Sequence, residues 1–113
     1  MKLSEAMRKG IAVTLPGEHV YIDDTDEGLR ADALGAALIG AHGVESAKRT
    51  ARTWFCAVRL VEAFPALGER ASKNVPGGTF GNLCDLSVGI VAANDTTRMT
   101  REQIADRLAA AGL

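Results

Sequence analysis

Apolar side chains recur every three to four positions along most of this chain, which is the spacing of one face of an α-helix. One exception is the β-favouring run at residues 19–22, which leads into an acidic turn and predicts one small β-hairpin near residues 20–31, and another is the aperiodic, turn-rich stretch at residues 68–78, which predicts a surface loop. The sequence therefore predicts a mainly α fold of about five helices around one core. The predicted helices span residues 3–10, 33–42, 45–64, 79–93 and 101–111.

Local residue choices support several of these helix boundaries. Thr100 and Gln103 form a capping box at the start of the last helix, and Asp32 can cap the second helix. Gly35 and Gly40 lie inside that second helix at a cost of ~1 kcal/mol each, which indicates that a neighbouring backbone approaches closely. The inward faces predicted to meet in the core carry Leu34, Trp54, Leu83 and Ile104.

Length and composition fit a single globular domain over residues 1–113. The chain is 47% hydrophobic and 24% charged, which is ordinary for a globular protein. Its formal net charge of -1 provides no overall field to attract nucleic acid or an anionic membrane. No segment has the residue order of a signal peptide, and no apolar run approaches the ~20 residues that span a bilayer. We therefore expect a cytoplasmic protein without membrane contact.

Residue types that often carry catalysis or bind metals are present but share no diagnostic spacing. They are His19, His42, Cys56 and Cys84. A glycine-rich turn between Gly77 and Gly81 lacks the lysine of a P-loop, and the sequence leaves open whether this turn binds an anion. We therefore predict no catalytic residue, no cofactor and no metal ion.

Two groups of polar residues are candidates for an interaction surface. Lys48, Arg49 and Arg52 fall close together on a predicted helix and would form a short basic strip there. Asn94 and Asp95 lie at a predicted joint between two helices, where polar side chains can bond to the backbone or hold a ligand. In purely structural terms, the strip is a solvated helix face and the pair caps the last helix.

Three short stretches also carry a resemblance. Leu-Ser-Glu-Ala stands at residues 3–6, Ala-Asp-Ala-Leu-Gly-Ala-Ala-Leu at residues 31–38, and Asn94-Asp95 precedes the capped last helix. Together they resemble a loosely related group of small uncharacterised bacterial and phage proteins that pair a Cys-Ala-Leu-Gly-Ala motif with a later Asn-Asp. Asp32 stands where the group has cysteine, so thiol chemistry does not carry over. The resemblance implies a helical architecture and no established activity.

Three functional hypotheses follow from these observations. The leading one is a non-enzymatic protein-interaction module, a phage- or prophage-derived accessory or regulatory protein that binds a protein partner or associates with itself. The second is a DNA-binding regulator, because the last helix resembles the first half of a helix-turn-helix and the basic strip could contact phosphates. The third is a small enzyme or metal protein that uses the histidines and cysteines.

Overall fold

A computed structural model describes residues 1–52, 56–69 and 85–113 of the chain. These residues contain six α-helices, one 3-10 helix and three short strands. This architecture confirms the mainly α prediction. In these three ranges, no helix is both long and apolar enough to cross a bilayer. In chain order the elements are α1 (Leu3–Ile11), β1 (Leu15–Pro16), β2 (Ile22–Thr25), β3 (Gly28–Ala31), α2 (Ala33–His42), α3 (Val44–Ala51), α4 (Cys56–Ala63), the 3-10 helix (Pro65–Gly68), α5 (Leu86–Asp95) and α6 (Arg101–Ala110).

The β-hairpin forms where the sequence predicts it. Strands β2 and β3 pair in antiparallel fashion, with Ile22 opposite Ala31 and Thr25 opposite Gly28. Strand β1 adds to the other edge of β3 in parallel fashion, so the strand order is β1-β3-β2. The sequence did not predict this third strand, because it is two residues long and its partners on β3 lie 15 residues further along the chain. The sheet delivers the chain directly to the start of α2.

Helix α2 lies at the centre of the fold, and its residues 33–39 are all buried. Helix α1 crosses it so closely that a Cβ built on Gly40 would overlap the carbonyl oxygen of Ala6, and one on Gly10 would overlap that of Ala36. This contact confirms that the glycine at position 40 serves a close backbone approach. Leu34 and Ile104 are buried in the core as predicted. The other two predicted core positions, Trp54 and Leu83, lie outside the described residues.

The single helix predicted over residues 45–64 is wrong. Helix α3 ends at Ala51 and Arg52 lies outside it, while α4 is a separate helix that is described from Cys56 onward; residues 53–55 lie outside the described part. Near the end of α3 the hydroxyl of Thr50 donates a hydrogen bond to the carbonyl of Ser46 at 2.9 Å. A hydroxyl bonded in this way competes with the backbone for its acceptor and weakens the helix. Apolar periodicity alone does not detect such an end.

The fourth predicted helix is shifted toward the C-terminus. Its first described residue is Leu86, and the side chain of Asp85 caps it by accepting a hydrogen bond from the Val88 amide at 2.9 Å. Residues 79–84 lie outside the described part. At its other end, α5 continues through Asn94 and Asp95, which the sequence places in a joint after the helix. The last helical turn therefore carries both polar side chains toward α2.

Helix α6 starts as predicted, with the Thr100 hydroxyl accepting from the Gln103 amide at 3.1 Å and the Gln103 side chain accepting from the Thr100 amide at 3.0 Å. Its C-terminal end returns to α1, where the amide of Ser4 donates to the carbonyl of Leu113 at 3.1 Å. Ser4 is buried within α1 and does not cap it, contrary to the role its residue type suggests. Helices α1, α2 and α6 thus enclose one core.

Candidate functional site

A shallow depression of about 220 Å³ opens at the N-terminal end of α2. It brings together the segment that precedes β2, the cap of α2 and the last turn of α5. Titratable side chains form part of its lining, and apolar side chains form the rest. The lining residues are His19, Val20, Tyr21, Asp32, Val91 and Asp95.

Asp32 is the N-cap of α2, as the sequence predicts. Its Oδ1 accepts a hydrogen bond from the Gly35 amide at 2.7 Å, and its own amide donates to the Tyr21 carbonyl at 3.2 Å. A Cβ on Gly35 would overlap that same carbonyl oxygen, so only glycine lets the segment before β2 lie this close to the helix. Asp32 is buried as a result, with 4% of its surface exposed.

Asn94 joins three parts of the fold at this end of α2. Its Oδ1 accepts from the Ala33 amide at 3.1 Å, which satisfies one of the free amides at the start of the helix. Its Nδ2 donates to the Gly17 carbonyl at 3.0 Å and to Oδ1 of Asp95 at 2.7 Å. The buried amide therefore fixes both the segment before β2 and the carboxylate of Asp95.

Asp95 in turn holds His19 by two contacts. Its Oδ1 accepts from the His19 amide at 3.2 Å, and its Oδ2 lies 3.5 Å from the imidazole Nδ1. The Asp95 side chain is 9% exposed, whereas the imidazole is 73% exposed. His19 also has a φ of 64°, an uncommon value for a residue with a side chain. The carboxylate thus anchors a strained backbone position and orients an imidazole at the rim.

The environment of Asp32 disfavours its charged form. Burial is the largest cause, and together with the smaller effect of the Asp95 charge it raises the pKa of this carboxyl from 3.8 to about 7. The Gly35 amide and the charge of Arg101 oppose the shift but do not cancel it. Desolvation dominates because a buried carboxylate loses its hydration without gaining a full counter-charge. Near neutral pH, Asp32 is therefore able to take up or release a proton.

Arg101, at the start of α6, is the cation whose charge acts on Asp32, but its hydrogen bonds go to other residues. It is 5% exposed. Its Nη1 donates to the Thr14 hydroxyl at 2.7 Å and to the Ala31 carbonyl at 3.3 Å, and its Nη2 donates to the Thr14 carbonyl at 3.1 Å. All three acceptors are uncharged, and burial lowers the pKa of Arg101. The guanidinium ties α6 to the sheet and leaves the two carboxylates without an ion pair to arginine.

The five residues of the predicted interaction surface fall into separate groups. Asp95 lines the depression just described, and Asn94 lies behind it and donates a hydrogen bond to the Asp95 carboxylate. Lys48 and Arg52 line a second depression with Asp24, whose carboxylate lies 2.9 Å from the Lys48 ammonium. The hydrogen bond and the charge of Asp24 raise the pKa of Lys48. Arg49 is exposed on α3.

Sequence reasoning missed the pairing of His19 with Asp95, since 76 residues separate them and no local spacing reports the contact. It did single out Asp32 as a cap and Asn94-Asp95 as a polar joint, and these are two parts of the site. Of the other candidate residues, His42 is partly buried and its Nε2 has no hydrogen-bond partner in the described part of the chain.

Several predicted features fall on residues that the structure does not describe. Cys84 and the turn between Gly77 and Gly81 lie outside the described residues, as does the side chain of Cys56. Within residues 1–52, 56–69 and 85–113, no three histidine, cysteine or acidic side chains are grouped closely enough to hold a metal ion.

Comparisons with known proteins supply no further residue roles. No protein-family model, no curated protein and no solved structure matches this chain. The resemblance to small bacterial and phage proteins therefore stays a prediction.

Proposed function

We propose that this protein is a non-enzymatic interaction module that binds a protein partner, and that a side chain of the partner enters the depression beside His19, Asp32 and Asp95. The observation that carries this proposal is the size of that depression, together with the hydrogen bonds of Asn94 and Asp95 that hold its rim. Its volume of about 220 Å³ is below the ~300–1,000 Å³ of typical cofactor and drug-sized sites. A single side-chain head group fits that space better than a cofactor does.

Rigidity supports binding because little conformational entropy is lost when a partner docks on a surface that is already ordered. Asn94 and Asp95 fix the segment before β2 through hydrogen bonds to Gly17 and His19. At the rim, Val20 is 46% exposed and offers apolar surface beside the polar floor. A polar pocket beside exposed apolar surface is the arrangement that anchors a partner side chain in many interfaces.

The test is to block the depression without disturbing the fold. Val20→Glu adds bulk and negative charge at the rim, and Val13→Glu is the matched control, since Val13 is 58% exposed and does not line the depression. Immobilised protein is incubated with lysate of the source cells, and the solution mass of each variant is measured by light scattering. We expect the wild type and Val13→Glu to form the same complex and Val20→Glu to lose it.

Two results would contradict this proposal, the first by removing the function and the second by removing the depression as its site. One is a strictly monomeric wild type that retains no protein from the lysate. The other is a complex that survives unchanged in Val20→Glu, because the partner would then use a different surface. This experiment does not test the separate predictions of a phage or prophage origin, a cytoplasmic location and a regulatory role.

A small acid-base enzyme is the second candidate, favoured by the contact between His19 and Asp95. A carboxylate at Nδ1 leaves Nε2 free to accept a proton, while neutral Asp32 could donate one. If the site has this activity, p-nitrophenyl acetate is a suitable probe, because a free imidazole promotes its hydrolysis. The candidate requires a rate at least tenfold lower in His19→Ala than in His42→Ala at pH 7, where part of Asp32 is still protonated. Equal rates in the two variants reject it.

The DNA-binding hypothesis has weaker support. Lys48 already pairs with Asp24, which reduces the charge that the basic strip could offer to phosphates. Light scattering with random duplex DNA at low salt tests the hypothesis directly. A mass that rises with DNA, and falls again as salt is added, would favour the regulator over the interaction module.

A further inference from the structure

Another cavity, of about 150 Å³, opens at the start of α6. Its lining includes the first residues of that helix, Arg98 and Met99 before it, and residues 16–18 at the end of β1. We propose that this α6 cavity binds a carboxylate group through unused N–H groups of Arg101 and of the helix start. The proposal goes beyond the interaction function, because none of its evidence involves the depression beside α2.

The guanidinium of Arg101 has N–H groups that the fold does not use. A guanidinium carries five N–H donors. Nη1 donates to the Thr14 hydroxyl and to the Ala31 carbonyl, and Nη2 donates once, to the Thr14 carbonyl. Nε is buried and has no hydrogen-bond partner in the described part of the chain. The unused donors are therefore Nε–H and one hydrogen of Nη2, and these two nitrogens form one edge of the planar group.

This unused edge has the geometry that a carboxylate requires. Two parallel N–H groups on one edge of a guanidinium bind both oxygens of a carboxylate at once. Arg101 is 5% exposed, and a buried donor without an acceptor costs ~1–3 kcal/mol. Helical side chains point back toward the N-terminus of their helix, which is where Arg101 lines the cavity. A carboxylate on this edge would remove the cost of the unsatisfied Nε.

The start of α6 adds two backbone donors to the lining. The capping box already pairs the Thr100 hydroxyl with the Gln103 amide, and the Gln103 side chain with the Thr100 amide. The amides of Arg101 and Glu102 have no acceptor within the described residues, and both residues line the cavity. Helix α6 is ten residues long, and its dipole places roughly half a positive charge at this end. An anion here would bond to groups that the capping box leaves free.

The charges around the cavity favour a ligand with a single negative charge. Arg98 and Arg101 supply two positive charges. Glu18 and Glu102 supply two negative ones, but both glutamates are exposed, so solvent screens them more than it screens the buried guanidinium of Arg101. Together with the helix dipole, the balance near that guanidinium is positive but small. A monovalent carboxylate fits this balance better than a phosphate with two charges.

The rest of the cavity fits a short aliphatic stem. Pro16 and Met99 contribute apolar walls, and the volume of about 150 Å³ is well below the ~300 Å³ at which typical cofactor sites begin. A carboxylate on such a stem occurs in small free acids and in the glutamate side chain of a protein. The recognition chemistry is the same for both sources, and they are distinguished by experiment.

The experiment titrates full-length protein with sodium butyrate at pH 7 and constant ionic strength. NMR follows the Nε–H of Arg101 and the backbone amides of Arg101 and Glu102, and uncharged butyramide is the control ligand. We expect saturable downfield shifts of these protons with butyrate and none with butyramide, since the charged acceptor forms the stronger hydrogen bond. Inorganic phosphate at equal concentration should shift them less than butyrate does.

A capped alanine-glutamate-alanine peptide distinguishes the two sources of the carboxylate. If the peptide moves the same protons as butyrate, the ligand is an acidic side chain of another protein. If butyrate moves them and the peptide does not, the ligand is a small free acid. Failure of both to move them would overturn the proposal.

Four variants test the residues that the proposal uses. Arg101→Lys keeps the positive charge but removes the planar edge, so butyrate should bind at least about tenfold more weakly. Arg98→Gln should weaken binding about threefold and Glu18→Gln should strengthen it about threefold, as expected for exposed charges near a ligand. Arg107→Gln is the matched control and should leave the affinity unchanged, because Arg107 is exposed on the last turn of α6 and does not line the cavity.

Circular dichroism checks that each variant is folded. If Arg101→Lys does not fold, the Nε–H signal of the wild type and the variants of Arg98 and Glu18 decide the outcome. The proposal is overturned if butyrate leaves the Nε–H of Arg101 unmoved, if butyramide moves it as far, or if Arg107→Gln weakens binding as much as Arg98→Gln does. Tighter binding of phosphate than of butyrate would overturn the preference for a monovalent carboxylate.

The carboxylate site and the interaction function succeed or fail separately. Loss of a partner complex in Val20→Glu concerns the depression beside α2, whereas the butyrate titration concerns the α6 cavity. A protein that binds butyrate at Arg101 but retains no partner keeps the carboxylate site and loses the interaction function. The reverse result keeps the function and removes the site.

Discussion

Replacing Asp32 with asparagine should change how the stability of this protein depends on pH. The buried carboxyl has a pKa of about 7 in the folded protein, against an ordinary value of 3.8. Asparagine has nearly the same shape, and its side-chain oxygen can still accept the hydrogen bond from Gly35. The substitution therefore removes the titration of Asp32 while it keeps the cap of α2.

The sign follows from which state binds the proton more tightly. Because the pKa is raised on folding, the folded state holds the proton over a range in which the unfolded state has lost it. Its contribution to stability is complete below pH 3.8 and is lost as the pH rises through 7. At about 1.4 kcal/mol per pKa unit, the whole effect is on the order of 4 kcal/mol. Between pH 5 and pH 8.5, about 3 kcal/mol of it is lost.

The assay is urea denaturation of the wild type and Asp32→Asn at half-unit steps from pH 5 to pH 8.5, followed by circular dichroism. The wild type should lose about 3 kcal/mol of unfolding free energy relative to the variant across this range. Comparing the two proteins cancels the titration of other groups, provided that they respond equally in both. The slope of the difference should be steepest below pH 7 and should level off above it.

Asp85→Asn is the matched control, because Asp85 caps α5 with the same side-chain geometry. Hydrogen bonds from the Val88 amide and the Ser87 hydroxyl lower the pKa of Asp85, so its contribution is lost only as the pH falls below 3.8. The difference between wild type and Asp85→Asn should therefore be flat from pH 5 to pH 8.5. A flat difference for Asp32→Asn as well would refute the reasoning about the buried carboxyl.

Three further substitutions test the packing that holds the site in place. Gly40→Ala should lower the free energy of unfolding by at least ~2 kcal/mol, because its Cβ would overlap the Ala6 carbonyl. Gly68→Ala is the control: its Cβ meets no atom closer than 3.7 Å, so its free energy of unfolding should stay within ~1 kcal/mol of wild type. Arg101→Ala should cost about 3 kcal/mol in urea denaturation through lost buried hydrogen bonds, and a cost below ~1 kcal/mol would contradict the anchoring role. Thr100→Ala should cost about 1 kcal/mol by thermal unfolding, and an unchanged midpoint would show that the cap is not needed.

The site could be predicted only in part, and particular residues show why. Asp32 and Asn94 were recognisable as polar residues at helix ends, because capping depends on a few neighbouring positions. Their assembly was not recognisable, because Asn94 bonds to Ala33 and Gly17, which are far away in sequence. A raised pKa also escapes sequence reasoning, since it depends on burial and on the distance between two carboxyls that different helices supply.

By itself, the sequence determined the helical class, the hairpin, the capping box at Thr100 and the need for a close approach at Gly40. These features depend on periodicity, turn chemistry and the absence of a side chain, which act over a few residues. Tertiary structure alone decided that the hairpin edge, α2 and α5 meet so that Asp95 lies beside His19 and Asp32. The physical reason is that burial and charge proximity are properties of packed elements. The same aspartate that is an ordinary cap in an isolated helix becomes a proton-binding group only when α5 covers it.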